Sequence, residues 1–264
     1  MVYVYEFEWR PLGLFHCLSY CQKSSLLLEC GVPAKEMLRT IDYQTSKVVG
    51  CIASHVHSDH VGFIKQYMQY GIKVYTSDEV QSDIETIMGE RTIGLQRMRR
   101  KNFLGCFSVI PFRVPHGETE CDGWLIDTAE GRVLFITDAE YCPYDFSKMN
   151  INYGLIECNY SEDYLSADDS SSKNHHVLTG HLELQTCKRL IQSINSNSLR
   201  SIDMAKITAT AMEFITWHIT YFRDLRIYIR SLESKEEVGR VTYGTGIPEA
   251  YQSEPLKAML AQKS

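Results

Sequence analysis

Three histidines and an aspartate, His55, His57, Asp59 and His60, fall within the six residues HVHSDH, and these are side chains that bind divalent metal ions. In extended chain, side chains repeat every two residues, so His55 and His57 point the same way and can reach one ion. Asp59 and His60 follow after the chain has turned toward a helix near Gly62, and they point elsewhere, toward a second ion. A zinc–nitrogen bond is about 2.0 to 2.1 Å and catalytic metal pairs lie about 3.5 to 4 Å apart, so one short turn can serve both ions. A histidine-rich surface loop would not set these residues at ligand spacing directly behind a buried strand. The isolated His16 and His218 read as packing histidines.

The elements that must position this cluster are legible on either side of it. Val48 to Ser54 is a continuous apolar, β-branched run, which predicts a buried strand ending at the cluster. Ahead of it, Val2 to Trp9, Phe15 to Tyr20 and Ser25 to Glu29 predict an N-terminal meander that turns at Gly31 and Pro33. Behind it, Gly62 to Tyr70 carries a helical apolar stripe, Lys73 to Thr76 reads as a short strand, and Asp78, after Ser77, starts a helix with Val80, Ile84 and Ile87 on its apolar positions. Phe107 to Val114, Gly123 to Asp127 and Val133 to Thr137 predict three more strands, the last two joined at Glu130 and Gly131, and Ile151 to Glu157 another. The polar stretch from Ser166 to His176 reads as an exposed loop before a helix over Leu184 to Ile194. Two sets of strands, each followed by helices, suit a pseudo-symmetric αββα sandwich.

HVHSDH matches, at every fixed position, the HxHxDH signature of the metallo-β-lactamase superfamily, and roughly the first three quarters of the chain resembles that family. The resemblance implies an α/β fold, an αββα sandwich of two mixed sheets flanked by helices. It implies two further ligands: His116 in RVPHGE after one strand, and Asp138 in LFITDAE after another. The implied set is His55, His57 and His116 on a first metal, Asp59 and His60 on a second, and Asp138 bridging. The metal so implied is zinc, one or two ions, with manganese as the alternative. A water held between them would be the nucleophile, with Asp59 orienting it and the metals stabilising the oxyanion.

The stretch VLTGHLELQTCKRLI resembles the GHLS or GHST element of the family's phosphodiesterase branch, which includes the ribonuclease Z type of nuclease. His181 is the matching residue, and in that branch it lies by the substrate phosphate and helps protonate the leaving group. The plain alternative is a histidine that merely leads into the Leu184 to Ile194 helix. The family closes its metal set with one more histidine, and here Lys206 stands about where it is due; a lysine is a poor metal ligand. Either His181, His175, His176 or water then completes the second site, or that site is weak. From about Ile202 the resemblance stops, as a change of reading frame or genuine divergence would produce. Residues 1–200 therefore read as the domain proper and 201–264 as a divergent segment of the same domain, with Met212 to Ile229 packing normally, or alternatively forming an added helix or a homodimer surface.

The leading reading is a metal-dependent hydrolase, a phosphodiesterase acting on nucleic acid or a small nucleotide. The alternatives are a thioester, lactone or β-lactam hydrolase, since a fold does not report the bond cleaved, and a metal-binding protein that has lost catalysis. Lysine and arginine total 27 against 33 acidic residues, a formal charge of -6, so there is no whole-molecule basic field to draw the protein onto nucleic acid. The one dense basic run, Arg97 to Lys101, reads as a solvated face. Nine cysteines without paired CxxC spacing, several of them, such as Cys51 and Cys158, in apolar runs, fit free thiols in a reducing compartment. With no signal-peptide pattern at the N-terminus and no stretch long enough to span a bilayer, the expectation is a cytoplasmic protein without membrane contact.

Overall fold

The apolar run ahead of the histidine cluster becomes β4 (Val48–Ile52), an inner strand of the first sheet, flanked on both sides by parallel neighbours. The computed structural model describes residues 2–6, 16–20, 24–103, 107–160, 179–194, 198–205, 226–230 and 237–241. The chain divides into two compact units, Met1–Phe135 and Ile136–Ser264.

In the first unit the sheet runs β1 (Val2–Glu6), β2 (His16–Tyr20), β3 (Ser24–Leu28), β4, β5 (Val74–Ser77) and β6 (Ile93–Leu95). The first three strands form the expected antiparallel meander, and β3 to β6 pair in parallel. Parallel neighbours require crossovers, and helices supply them: α1 (Ala34–Thr40), then α2 (Ser58–Val61) with α3 (Ile64–Gln69), then α4 (Asp78–Met88). Leu27, Cys51 and Val74 of the sheet share one core with Met37 of α1, Ile64 and Tyr67 of α3, and Val80 and Ile84 of α4. The unit continues with antiparallel strands β7 (Lys101–Asn102), β8 (Ser108–His116), β9 (Thr119–Thr128) and β10 (Gly131–Ile136), with which it ends. The turn between the last two strands needs a glycine: Gly131 sits at φ 146°, and Thr128 Oγ1 donates to its carbonyl.

In the second unit β11 (Ile151–Glu157) pairs in parallel with β12 (Ser201–Ala205), β12 in parallel with β13 (Arg226–Arg230), and β13 antiparallel with β14 (Glu237–Val241). Helix α5 (Leu184–Ser193) lies on the crossover from β11 to β12, with Leu184, Cys187, Leu190 and Ile191 buried. The class is the expected one, mixed sheets flanked by helices. Among the described residues no helix is long and apolar enough to cross a membrane.

Some expectations shift. Helix α1 stands directly behind Pro33, where only a turn was expected, and proline suits a helix start because it gives up no needed N–H there. Ile87 has the right helical phase on α4 but is 68% exposed, and Met88 packs against the core instead; Gly89, at φ 70°, stops the helix there. Of Met212 to Ile229, the described residues Arg226 to Ile229 lie in a strand, so the helical alternative fails for them. Cys51 and Cys158 are buried free thiols, as expected.

Met98 to Lys101 of the basic run are exposed, as expected, and Arg97 is the residue that departs from a solvated face. Arg97 is largely buried, its Nε 2.6 Å from Asp122 Oδ1, with Glu120 at 2.8 Å and Glu79 at 3.5 Å, while Arg100 pairs with Asp127. Asp122 is fully buried on β9, takes the Ser77 amide at 3.3 Å, and its own amide donates to Ser54. Burial outweighs these partners and pushes its carboxyl up from 3.8 to about 6. A carboxyl raised on folding keeps its proton in the native state after the unfolded chain has lost it, so its contribution to stability is greatest in acid and drains away as pH rises through 6. The stability of wild type relative to Asp122→Asn, measured from urea midpoints, should therefore fall by up to about 3 kcal/mol between about pH 4 and pH 6.5. A difference that rises over that interval would show Arg97 overriding burial.

Candidate metal centre

Strand β4 delivers Ser54 and His55 from the sheet into the interior, both fully buried. The chain then turns: His57, extended at φ -62° and ψ 148°, is the last residue before α2, and Asp59 and His60 lie within that single helical turn. His116, 2% exposed, is the last residue of β8. Two sequence-distant strand ends thus present their histidines to one place within the first unit.

The rings of His55, His57 and His116 have centroids 4.6 to 4.9 Å apart, and His55 and His60 stand at 4.1 Å. His57 Nδ1 lies 3.0 Å from His55 Nε2 and 3.1 Å from His116 Nε2. A tetrahedral ion with nitrogen ligands at about 2.0 to 2.1 Å holds them roughly 3.3 Å apart, close to this spacing. One ring nitrogen cannot satisfy two imidazoles equally, having a single proton or lone pair to offer, whereas one cation satisfies all three. The donor set therefore fits a divalent metal. The opposite nitrogens are backed by the protein: Ser54 Oγ lies 2.9 Å from His55 Nδ1, and Thr119 Oγ1 lies 3.4 Å from His57 Nε2. Such backing selects the tautomer and orients the ring. Asp59 Oδ2 and His60 Nε2 form a second pair of donors, 3.5 Å apart.

In the second unit Asp138 follows β10 in the left-handed region at φ 39°, unusual for a residue with a side chain, and is 2% exposed. Thr137 Oγ1 donates to its Oδ1 at 3.0 Å. His181 is buried, its Nδ1 2.9 Å from Glu157 Oε1 and 3.8 Å from Asp138 Oδ1. One ligand atom from each of Asp138, Glu157 and His181 lies within 4.8 Å of the others. His181 stands ahead of α5, whose N-cap is Glu183: that carboxylate accepts the amides of Gln185 and Thr186, which accounts for a glutamate so close to the GH element. Glu157, 1% exposed at the end of β11, is a residue that sequence reasoning treated only as part of a strand. Its trace in the sequence is a lone carboxylate closing an apolar run, a group that cannot be buried without a partner. His175, His176 and Lys206 lie outside the described residues.

Residues 16–84, which include HVHSDH, match the family model described as Anti-Pycsar protein Apyc1. No curated protein matches the chain. Among solved structures, the metallo-beta-lactamase fold protein YhfI from Bacillus subtilis is 17% identical, with 83% of this chain and 88% of that chain covered at a TM-score of 0.61. A diphosphatase from the PhnP family is 13% identical over 74% of this chain and 73% of that chain, with a TM-score of 0.55. Human tRNase Z, short form, is 13% identical over 74% of this chain and 86% of that chain, with a TM-score of 0.53. The chain has the metallo-β-lactamase fold.

His57 is partly exposed while its partners are buried, which makes it the histidine whose removal disturbs packing least. His57→Ala should lower the metal content of purified protein by one ion per chain, measured by mass spectrometry, with an unchanged far-ultraviolet circular dichroism spectrum. Full metal content in that variant would remove His57 from the metal set.

Proposed function

We propose that this protein is a metal-dependent phosphodiesterase acting on a nucleotide or nucleic acid. The observation that carries this reading is the buried His181–Glu157 pair beside Asp138, which equips the chain to deliver a proton as well as to hold metal. In the proposal His55, His57 and His116 would hold the first ion and Asp59 and His60 the second, with Asp138 the further ligand that the family motif implies. A set rich in imidazole nitrogen favours zinc. When bound, the ions supply Lewis acidity and a water nucleophile at neutral pH.

The protein's own side chains do the rest. The Asp59 carboxylate, 44% exposed, orients the attacking water. Glu157 accepts a hydrogen bond from His181 Nδ1–H and so fixes which way the ring faces; as the imidazolium, the ring gives its Nε2 proton to the departing oxygen and becomes neutral. A leaving alkoxide needs that proton far more than a leaving phenolate does. Two of the proteins with similar structures, a diphosphatase and a tRNase, support phosphorus chemistry.

A small nucleotide is the better substrate within this class. The net charge is negative, and in the one dense basic run Arg97 is committed to Asp122, Glu120 and Glu79 and Arg100 to Asp127, which leaves Arg99 and Lys101 to track a phosphate backbone.

In His181→Ala, both ions should remain while cleavage of an alkyl phosphodiester slows by about a hundredfold or more, the usual reach of general acid catalysis, and bis-p-nitrophenyl phosphate loses much less. Equal losses on both substrates with one ion missing would make His181 a metal ligand. No loss on either would leave it as a histidine leading into α5.

A further inference from the structure

Asn159 stands two residues beyond Glu157, just past the end of β11, and the chemistry proposed above makes no use of it. Its side-chain amide donates to Glu157 Oε1 at 3.1 Å, the same oxygen that faces His181 Nδ1 at 2.9 Å. An ionised carboxylate can only accept, so the group that Asn159 turns toward it is the NH2 of the amide. Backbone bonds fasten the same stretch beside His181: the Asn159 amide donates to the Leu182 carbonyl at 2.9 Å, and the Leu184 amide donates to the Tyr160 carbonyl at 2.8 Å. Those bonds hold whatever side chain stands at Asn159. The side-chain amide is an addition to them, aimed at a buried carboxylate.

The need for it lies in a choice of partners. His181 Nδ1 can donate one proton, and two buried carboxylates face it, Glu157 Oε1 at 2.9 Å and Asp138 Oδ1 at 3.8 Å. A ring turned to Asp138 would aim Nε2 in another direction, and it would engage an oxygen to which Thr137 Oγ1 already donates at 3.0 Å. We infer that Asn159 is the positioning residue of the proton-delivering pair: by holding Glu157 Oε1 in place it decides which carboxylate His181 faces, and so leaves Asp138 to its proposed ligand role. A buried carboxylate with two fixed donors has one orientation that satisfies both, whereas with the imidazole alone it can follow the ring. Asn159 thus acts through Glu157 and not on the substrate. This inference rests on the general-acid role given to His181 above.

Asn159→Leu removes the donor while keeping a similar volume and both backbone bonds. Cleavage of the dinucleotide thymidylyl-thymidine, whose leaving group is an alkoxide, should slow by about tenfold, the order expected when one hydrogen bond to a charged group is lost. The p-nitrophenyl ester of thymidylate should lose much less. Asn159→Ala, which removes the donor without adding an apolar group, should behave in the same way, so that a packing fault in the leucine variant does not decide the matter. In a His181→Ala background neither substitution should have any further effect. Independently of turnover, the Nδ1 proton of His181 in chelator-stripped, nitrogen-15-labelled wild-type protein should resonate far downfield, as a proton shared with a carboxylate does. In both Asn159 variants it should move upfield and exchange faster with water. Equal losses on the two substrates, an added loss in the double variant, or an unmoved Nδ1 proton would overturn the role of Asn159. Thymidylyl-thymidine cleavage that does not depend on His181 would instead overturn the general-acid reading itself, with the Nδ1 proton left to decide the role of Asn159 by itself.

Discussion

Imidazoles whose ring nitrogens face one another about 3 Å apart, away from water, have too few protons and lone pairs to satisfy each other. His55 and His116 are essentially inaccessible, and their Nε2 atoms both meet Nδ1 of His57. A hydrogen bond can settle one such contact, but only a cation settles all of them. The interior of the first unit is organised to tolerate this crowding. Ser54 and Thr119 engage the outward nitrogens of His55 and His57, and Glu29 lies beside His60. The neighbouring backbone is committed as well, with the Asp122 amide bonded to Ser54 and the Cys30 amide to His60.

Strand ends are the means of positioning. A strand buried over its last residues and followed at once by a turn can bring a polar side chain inside while its own backbone remains paired, so the cost of burying polar groups is confined to the side chain. His55 follows β4, His116 ends β8, Asp138 follows β10 and Glu157 ends β11. The left-handed backbones of Glu29 and Asp138, each at such a strand end, are two places where the chain accepts strain to aim a carboxylate.

Charge is distributed with the same economy. Arg97, which on paper belongs to a basic patch, is spent on Asp122, a buried carboxylate that ties β9 to Ser77 at the start of α4. That pairing belongs to the scaffold, and it takes one of the four cations out of the exposed run Arg97 to Lys101. In the second unit the carboxylates of Asp138 and Glu157 both face His181, the residue proposed to carry the proton.

HVHSDH behind an apolar strand was legible from the sequence because its message is local: period-two geometry and the turn into α2 act within a few residues, and no distant partner is needed to see that four donors converge. The class of fold was legible for a similar reason, since apolar runs and helical stripes mark strands and helices wherever they occur, and β11 fell where the pattern placed it. His116, Asp138 and His181 were visible only through a family resemblance, being ordinary residues at strand or helix ends when taken singly. Tertiary structure alone decided the parts that depend on partners far apart in the chain. Glu29 meets Ser54 and His60, Glu157 meets His181, and Arg97 meets Asp122, and in each case a charged residue is silent in sequence because nothing local says whether it will be paired inside or solvated outside. Ile87 makes the same point for an apolar residue: its helical phase is local, but whether anything packs against that face is set by the rest of the fold.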